Sequence, residues 1–225
     1  MSRLSRVNPF YAMDKTYTIA LGTRNPHKVA EIREKLRNSE RLRDLDVRLE
    51  VRPLSDFPDA PEVVEDRDTF EGNAVKKACE LAQALGLPVM ADDSGLQVDA
   101  LSGEPGVLSA RYSGTHGDYA ANNEKVLREM RDVPEEKRTA RFVCVMALAN
   151  PDGLVFTTEG KVEGRISVEP KGRGGFGYDP IFYLPEMGVT MAQLSLGQKN
   201  SLSHRARALE FFCEELARRL RAHLE

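Results

Sequence analysis

The sequence predicts an α/β protein, and three observations carry that prediction. A strand-like run, residues 17–21, passes through Gly22-Thr23-Arg24-Asn25 into a helical pattern, Val29, Ile32 and Leu36. A second apolar run at 88–91 ends abruptly in Asp92-Asp93-Ser94-Gly95, and a third at 140–149 turns back through Pro151-Asp152-Gly153. A leucine-rich stripe, Leu209, Phe212, Leu216, Leu220 and Leu224, then closes the chain at helical spacing from near Ser203.

Taken in order, residues 1–14 are polar, carry Asn8-Pro9 and precede the first regular element, so a mobile extension is expected there, with Met13 as a second candidate start. Asn25 suits a helix N-cap and Pro26 the first helical position after the 17–21 strand. A strand that runs through a glycine turn into a helix start presents free N–H groups and the positive end of the macrodipole to an anion, with Lys28 one turn inside. The segment lacks a full Walker or dinucleotide glycine signature. Residues 47–51 alternate as a strand, and Pro53, Pro58 and Pro61 break the acidic loop that carries Glu62, Glu65, Asp66 and Asp68. A helix is predicted from 69 to 85, apolar through Phe70, Ala74, Ala78, Leu81, Ala82 and Leu85 and ended by Gly86. Asn73 and Lys77 share one face of it, which composition alone assigns to solvent.

The stretch 88–101 organises the rest. Pro88 opens a strand, Val89, Met90 and Ala91 suit a buried position, and Asp92 and Asp93 are placed at the strand's C-terminal end. Open α/β sheets bind ligands at such ends, and aspartates enter cores only when paired or holding a metal. Asp-Asp-Ser-Gly is equally ordinary turn chemistry. Residues 105–112 read as a turn entering an extended segment, and 119–130 as a helix. After the 140–149 strand, 154–158 returns, and Gly160 and Gly164 are expected to bend it. Residues 171–182 form a glycine-rich loop in which Phe176 and Tyr178 have little to pack against, so a stacking surface is expected. His204 and Arg205 stand at an exposed helix start where the macrodipole disfavours cations, which points to an acceptor-rich partner.

Bulk properties set limits. At 225 residues the chain fits one large domain, or two lobes sharing a sheet. With 30% charged residues and a net charge of −3 there is no general basic field, so neither nucleic acid nor an anionic membrane is an expected partner and any anion site must be local. Cys79, Cys144 and Cys213 lack zinc or redox spacing and read as buried thiols of a reducing cytoplasm. The longest apolar run, 142–149, is too short to span a bilayer, and the N-terminus lacks the apolar segment of a signal peptide, so a cytoplasmic location is expected.

Together, T-R-N-P-H-K at 23–28, Glu65 followed by T-F-E-G-N-A at 69–74, A-D-D-S-G-L at 91–96, P-G-V-L-S-A-R-Y at 105–112, G-G-F-G-Y-D-P-I-F at 174–182 and K-N-S-L-S-H-R at 199–205 resemble the inosine triphosphate pyrophosphatase family. The likeness covers nearly everything from about residue 16 onward, as a single two-lobed domain over 15–225. It implies a long twisted mixed β-sheet with helices on two lobes, an active site in the cleft between them, and a homodimer. It implies a Mg2+-dependent hydrolase that cleaves deaminated purine nucleoside triphosphates (ITP, dITP, XTP) to the monophosphate and pyrophosphate. By the same resemblance, Thr23, Arg24, Asn25, Pro26, His27 and Lys28 form the triphosphate-binding segment, with Thr23, Asn25 and Lys28 in contact and Lys77 assisting. Asp93 would be the catalytic acid-base residue and a metal ligand, joined on the metal by Glu65. Ser94 would touch substrate, and Phe176, Gly177, Tyr178, Asp179, Lys199, His204 and Arg205 would surround base and sugar. Arg24 stands where the family commonly has glycine, and residues 1–14 have no family counterpart. The chemistry is coherent, since cleaving a polyanion needs cations, a hard metal ion and a carboxylate to activate water.

Three other readings follow from the same residues. R-G-G-F-G-Y is similar to the aromatic core of an RNA-recognition strand, but Asp179-Pro180 interrupts it and the net charge is negative. A related-fold enzyme for other modified or pyrimidine nucleotides would share most motifs. A catalytically silent dimeric scaffold is disfavoured because the expected acids and lysines are all present.

Overall fold

In the computed structural model, which describes residues 16–224, seven strands form one mixed sheet. β1 (Thr16–Leu21) lies between β2 (Arg48–Pro53) and β3 (Val89–Val98), parallel to both. β4 (Thr139–Asn150) pairs antiparallel with β3 and with β5 (Gly153–Ile166), and β6 (Phe182–Leu184) and β7 (Val189–Thr190) complete that edge. The extension expected at 1–14 lies outside the described residues.

Strand alternation sends side chains to two helical layers. On one face Ile19, Leu21, Met90 and Met146 meet Ile32 and Leu36 of α1 (Pro26–Asn38) and Leu209, Phe212 and Leu216 of α6 (His204–Leu224), with α2 (Glu40–Arg43) adding Leu42. On the other, Ala20, Val89, Ala91, Val145 and Ala147 meet Ala74, Ala78 and Ala82 of α3 (Phe70–Leu85). Alanine on both sides lets the α3 backbone come close to the sheet, which later places its polar side chains against β3. Thr69 caps α3 by accepting from the Gly72 N–H at 3.0 Å, and left-handed Gly86 ends it, the end that the sequence predicts. The far halves of β3, β4 and β5 build a second lobe in which Leu96, Phe142, Ile166 and Phe182 pack on Val126 and Met130, at the end of α4 (Tyr119–Glu129). Burial of one such side chain, Phe212 for example, stabilises the fold by about 1.5–3 kcal/mol.

Several expectations are corrected here. β3 does not end at the aspartates: it runs on to Val98, with Asp92 opposite Met146 and Asp93 opposite Val145. Two features make this possible. Each carboxylate finds partners on its own face of the sheet, and Gly95 leaves room for the segment behind it, where a Cβ would collide with Ser109 Oγ and the Gly106 carbonyl. That segment, expected to be extended, is a 3-10 helix, Gly106–Arg111, stitched to β3 by the Leu96 N–H donating to Ser109 Oγ at 2.9 Å. The strand expected over 154–158 continues unbroken to Ile166, with its register irregularity at Leu148/Ala149. Gly160 serves a close approach there, because a Cβ would strike the His204 carbonyl and the Ala208 nitrogen of α6. A short helix, α5 (Leu196–Leu202), was not foreseen; Ser195 and Gln198 close a capping box at its start. Cys144 and Cys213 are buried, whereas Cys79 is only half-buried. No helix among the described residues is long and apolar enough to cross a membrane.

Candidate active site

A cavity of about 440 Å3 lies between the lobes, within the usual size of small-molecule sites. Thr23, Arg24, Asn25, Lys28, Glu65, Lys77, Asp93, Ser94, Phe176, Gly177, Tyr178, Asp179, Lys199, His204 and Arg205 all line it. Pro26 is exposed at the start of α1, and the His27 side chain lies outside those described.

The first wall grows from the β1–α1 turn. Thr23 Oγ1 accepts from the Asn25 N–H at 3.2 Å, and Asn25 Oδ1 accepts from the Lys28 N–H at 3.4 Å, so the turn shapes the helix start with its own side chains. Lys28 Nζ sits 2.8 Å from Asp92 Oδ2. Arg24 is exposed and donates to the Ala60 carbonyl at 3.4 Å, which ties the phosphate-loop candidate to the proline-rich segment.

β3 supplies the floor, with its two aspartates on opposite faces. Asp92 is 2% exposed and meets Lys28 and, at 3.7 Å, Arg205 Nε. Burial alone would raise its carboxyl, but Lys28, Arg205 and Lys77 outweigh burial and hold it well below the usual carboxylate range. Asp93, 8% exposed, turns to α3 and accepts from Asn73 Nδ2 at 2.9 Å and from the Ser94 N–H at 2.8 Å. Burial pushes the Asp93 carboxyl up to about 6, against the Asn73 amide and with help from the charge of Glu65. A buried carboxyl poised near neutrality and facing a cavity is suited to accept a proton from water. Lys77 donates to the Asp92 carbonyl at 2.8 Å and pairs with Glu65. Burial would lower its ammonium, but Asp92 and Glu65 more than offset this and keep it charged.

The second lobe supplies the opposite end. Asp179 Oδ2 accepts from the Phe176 N–H at 2.8 Å and from Lys199 Nζ, and Lys199 also lies 4.4 Å from the Phe176 ring centroid. Burial raises the Asp179 carboxyl and Lys199 opposes it. Gly177 offers its carbonyl to Asn123 Nδ2 at 3.0 Å. Of the two aromatics expected to stack, only Phe176 remains partly open: Tyr178 is buried, donating its hydroxyl to the Ser109 carbonyl at 2.8 Å, because the 3-10 helix gives it the packing that its own loop lacks. Residues 174–178 form an irregular bend and turn rather than the strand that RNA recognition would need.

The start of α6 is not exposed at Arg205, which is 4% exposed and bonds Glu31 Oε2 at 2.7 Å and Ser94 Oγ at 3.4 Å. The acceptor-rich surroundings expected there are therefore met within the protein. His204 stacks on Phe142 at 4.9 Å, and its enclosure, then the charges of Arg205 and Lys199, keep it neutral. A neutral imidazole suits a helix N-terminus.

Sequence reasoning missed several of these groups. Asn73, assigned to solvent, is 1% exposed because the alanine face of α3 brings it onto β3. Glu31, Ser109, His116 and Tyr119 also line the cavity; Ser109 stands in the 105–112 motif without being singled out there, and the other three stand in none of the motifs that carry the resemblance.

The cavity defines a class: a two-lobed, mixed-sheet α/β protein that gathers cations and ionisable carboxylates at one end of a cleft and an aromatic ring with donors at the other. The chain belongs to the Ham1 family, whose model matches residues 19–215. Among curated relatives, the dITP/XTP pyrophosphatase of Geobacter sulfurreducens is 52% identical over 185 residues, covering 80% of this chain and 93% of its own. That of Rhodopirellula baltica is 48% identical over 207 residues, covering 92% and 96%. Among solved structures, a HAM1 protein from Coxiella burnetii superposes with a TM-score of 0.81 at 39% identity, over 90% of this chain and 99% of that one. A nucleoside-triphosphatase / dITP/XTP pyrophosphatase from Mycobacterium abscessus gives 0.72 at 44% identity, over 87% and 98%.

Proposed function

We propose that this chain hydrolyses deaminated purine nucleoside triphosphates (ITP, dITP and XTP) to the nucleoside monophosphate and pyrophosphate. The observation that carries the reading is Asp93: a buried carboxylate with a raised pKa, next to Glu65 and Lys77, on a cavity that also holds Lys28 and, across the cleft, Phe176 and His204. The names of the relatives, dITP/XTP pyrophosphatase, support the same reading.

In this reaction the anhydride bond between the α and β phosphates breaks, the oxygen of water joins one product, and Asp93 takes the proton. Lys28, Lys77 and the N-terminal end of α1 stabilise the phosphate charge, and Phe176 with Lys199 and His204 holds the nucleoside end. The donor set fits Mg2+: Asp93 and Glu65 are hard oxygen ligands, and among the described residues no cluster of three or more His, Cys, Asp or Glu could form an all-protein cage. When bound, the ion would neutralise phosphate charge and polarise water. We assign the active form as a cytoplasmic homodimer, in line with the family resemblance.

The test is pyrophosphate release across ITP, dITP, XTP, GTP, ATP and pyrimidine triphosphates, with Mg2+ and with a chelator. Preference for the deaminated purines and loss of turnover with the chelator support the reading. Preference for a pyrimidine or methylated nucleotide would replace the substrate class, and orthophosphate as the product would replace the reaction. Sedimentation of the active protein as a monomer would remove the dimer.

A further inference from the structure

Asn73 is the fourth residue of α3, 1% exposed, and both ends of its amide are committed. Its Oδ1 accepts from the Arg67 N–H at 2.9 Å, and its Nδ2 donates to Asp93 Oδ2 at 2.9 Å. The other carboxylate oxygen, Asp93 Oδ1, accepts from the Ser94 N–H at 2.8 Å. Each oxygen of Asp93 therefore has one protein donor and keeps lone-pair capacity for the cavity. We propose that Asn73 is the positioning residue of the reaction: it fixes the rotation of the Asp93 carboxylate and, through the same amide, locks the acidic segment carrying Glu65 to it. This inference rests on the reading of Asp93 as the proton acceptor.

The residue type follows from the geometry. The two tasks need an acceptor and a donor on one rigid plane. Aspartate keeps the acceptor for Arg67 but has no donor for an ionised Asp93, glutamine is one methylene too long, and alanine offers neither. A buried asparagine needs partners in any case, and an ordinary core asparagine would find them on the backbone. Here one partner is the carboxylate that faces the cavity, and the other is the backbone two residues from Glu65. Rotation of an unheld carboxylate would spread its lone pairs away from the water it must deprotonate, which lowers turnover and leaves nucleotide binding by Lys28 and Phe176 intact.

The experiment is a double-mutant cycle on ITP hydrolysis with Asn73→Asp, Asp93→Ala and the pair, each checked for folding by circular dichroism and Tm. Asn73→Asp keeps the shape and the Arg67 bond, removes the donor and sets a second carboxylate beside Asp93, so Asn73→Ala, which removes the donor without adding charge, is run alongside it. Expected are a kcat lower by roughly 10- to 100-fold, a KM within about threefold of wild type, and no further loss when Asn73→Asp is added to the residual turnover of Asp93→Ala. A kcat within about twofold of wild type, a loss confined to KM, or losses that multiply in the double variant would each overturn the proposal. Near-normal turnover of Asp93→Ala by itself would overturn the proton-acceptor reading and this inference with it, which separates the two failures. Should the added charge unfold Asn73→Asp, the cycle with the smaller, neutral Asn73→Ala decides by the same criteria.

Discussion

Asp92 and Asp93 are neighbours in β3 that face opposite sides of the sheet: Asp92 meets Lys28 of α1 at 2.8 Å, and Asp93 meets Asn73 of α3 at 2.9 Å. One pair of identical side chains is thereby divided into a structural anion with a depressed carboxyl and a reactive one with a raised carboxyl. Substituting each in turn separates the roles. Asp93→Asn should lower turnover by roughly 10² to 10⁴ while leaving the fold intact. Asp92→Asn leaves Lys28 and Arg205 without their shared counter-charge and should cost about 3–5 kcal/mol of stability. Melting temperature and kcat measured on both variants check this. Near-normal turnover in Asp93→Asn would remove Asp93 from the chemistry.

The pH dependence of stability carries the same division. Asp93 is raised from 3.8 to about 6, so between those values the folded protein holds a proton that the unfolded chain has released. Stability contributed at this site therefore falls as pH rises through that window, by about 3 kcal/mol across it. Asp92 behaves oppositely: its contribution is present above the unfolded value and is lost only as pH falls through its depressed folded value. For the metal-free protein, the Tm difference between Asp93→Asn and wild type should grow in favour of the variant as pH goes from about 4 to 7. Metal binding needs the ionised carboxylate, so Mg2+ affinity should weaken below about pH 6. A Tm difference that stays flat over this range would show that Asp93 ionises freely.

Phe176 is the partly exposed ring of the loop and lines the cavity, with Lys199 4.4 Å from its centroid and the Tyr119 ring 6.3 Å away. Phe176→Ala should weaken nucleotide binding by about 1–3 kcal/mol, read as a raised KM. Inhibition by inorganic triphosphate, which has no ring, should not change. An equal loss for both ligands would place Phe176 in loop support.

Much of this architecture is legible in the sequence because periodicity and caps are local. The 17–36 strand-turn-helix, the 69–85 helix with Thr69 and Gly86 at its ends, and the α6 stripe all follow from spacing. What escaped depends on contacts distant in the chain. Asp92 and Asp93 look like a strand end because the cations and amide that allow β3 to continue come from residues 28, 73, 77 and 205. Tyr178 looks like a stacking ring because Ser109, its hydroxyl's acceptor, is 69 residues away. Asn73 looks like a solvent residue because only the assembled sheet shows what its amide reaches.

Base choice rests on the groups presented at position 6 of a purine. Inosine and xanthosine carry a keto oxygen there and adenine an amino group, so donors aimed at that position pair with the former and confront donors in the latter. Arg205 can only donate, and of its five N–H groups one goes to Glu31 and one to Ser94, leaving donors on a side chain that still lines the cavity. Neutral His204 donates from one ring nitrogen. Leaving one or two enclosed donors unpaired costs about 1 to 3 kcal/mol each, so ATP should be worse than ITP by roughly tenfold to 10⁴-fold in kcat/KM. GTP shares the keto group, and its rejection has to come from the shape of the pocket around its 2-amino group. Arg205→Ala should lower ITP hydrolysis far more than ATP hydrolysis. It should also lower Tm, because Glu31 and Asp92 lose a buried cation. Equal factors for the two substrates would mean that Arg205 serves only to hold Asp92, Glu31 and Ser94 in place, and His204→Ala would then be the variant that moves the ratio.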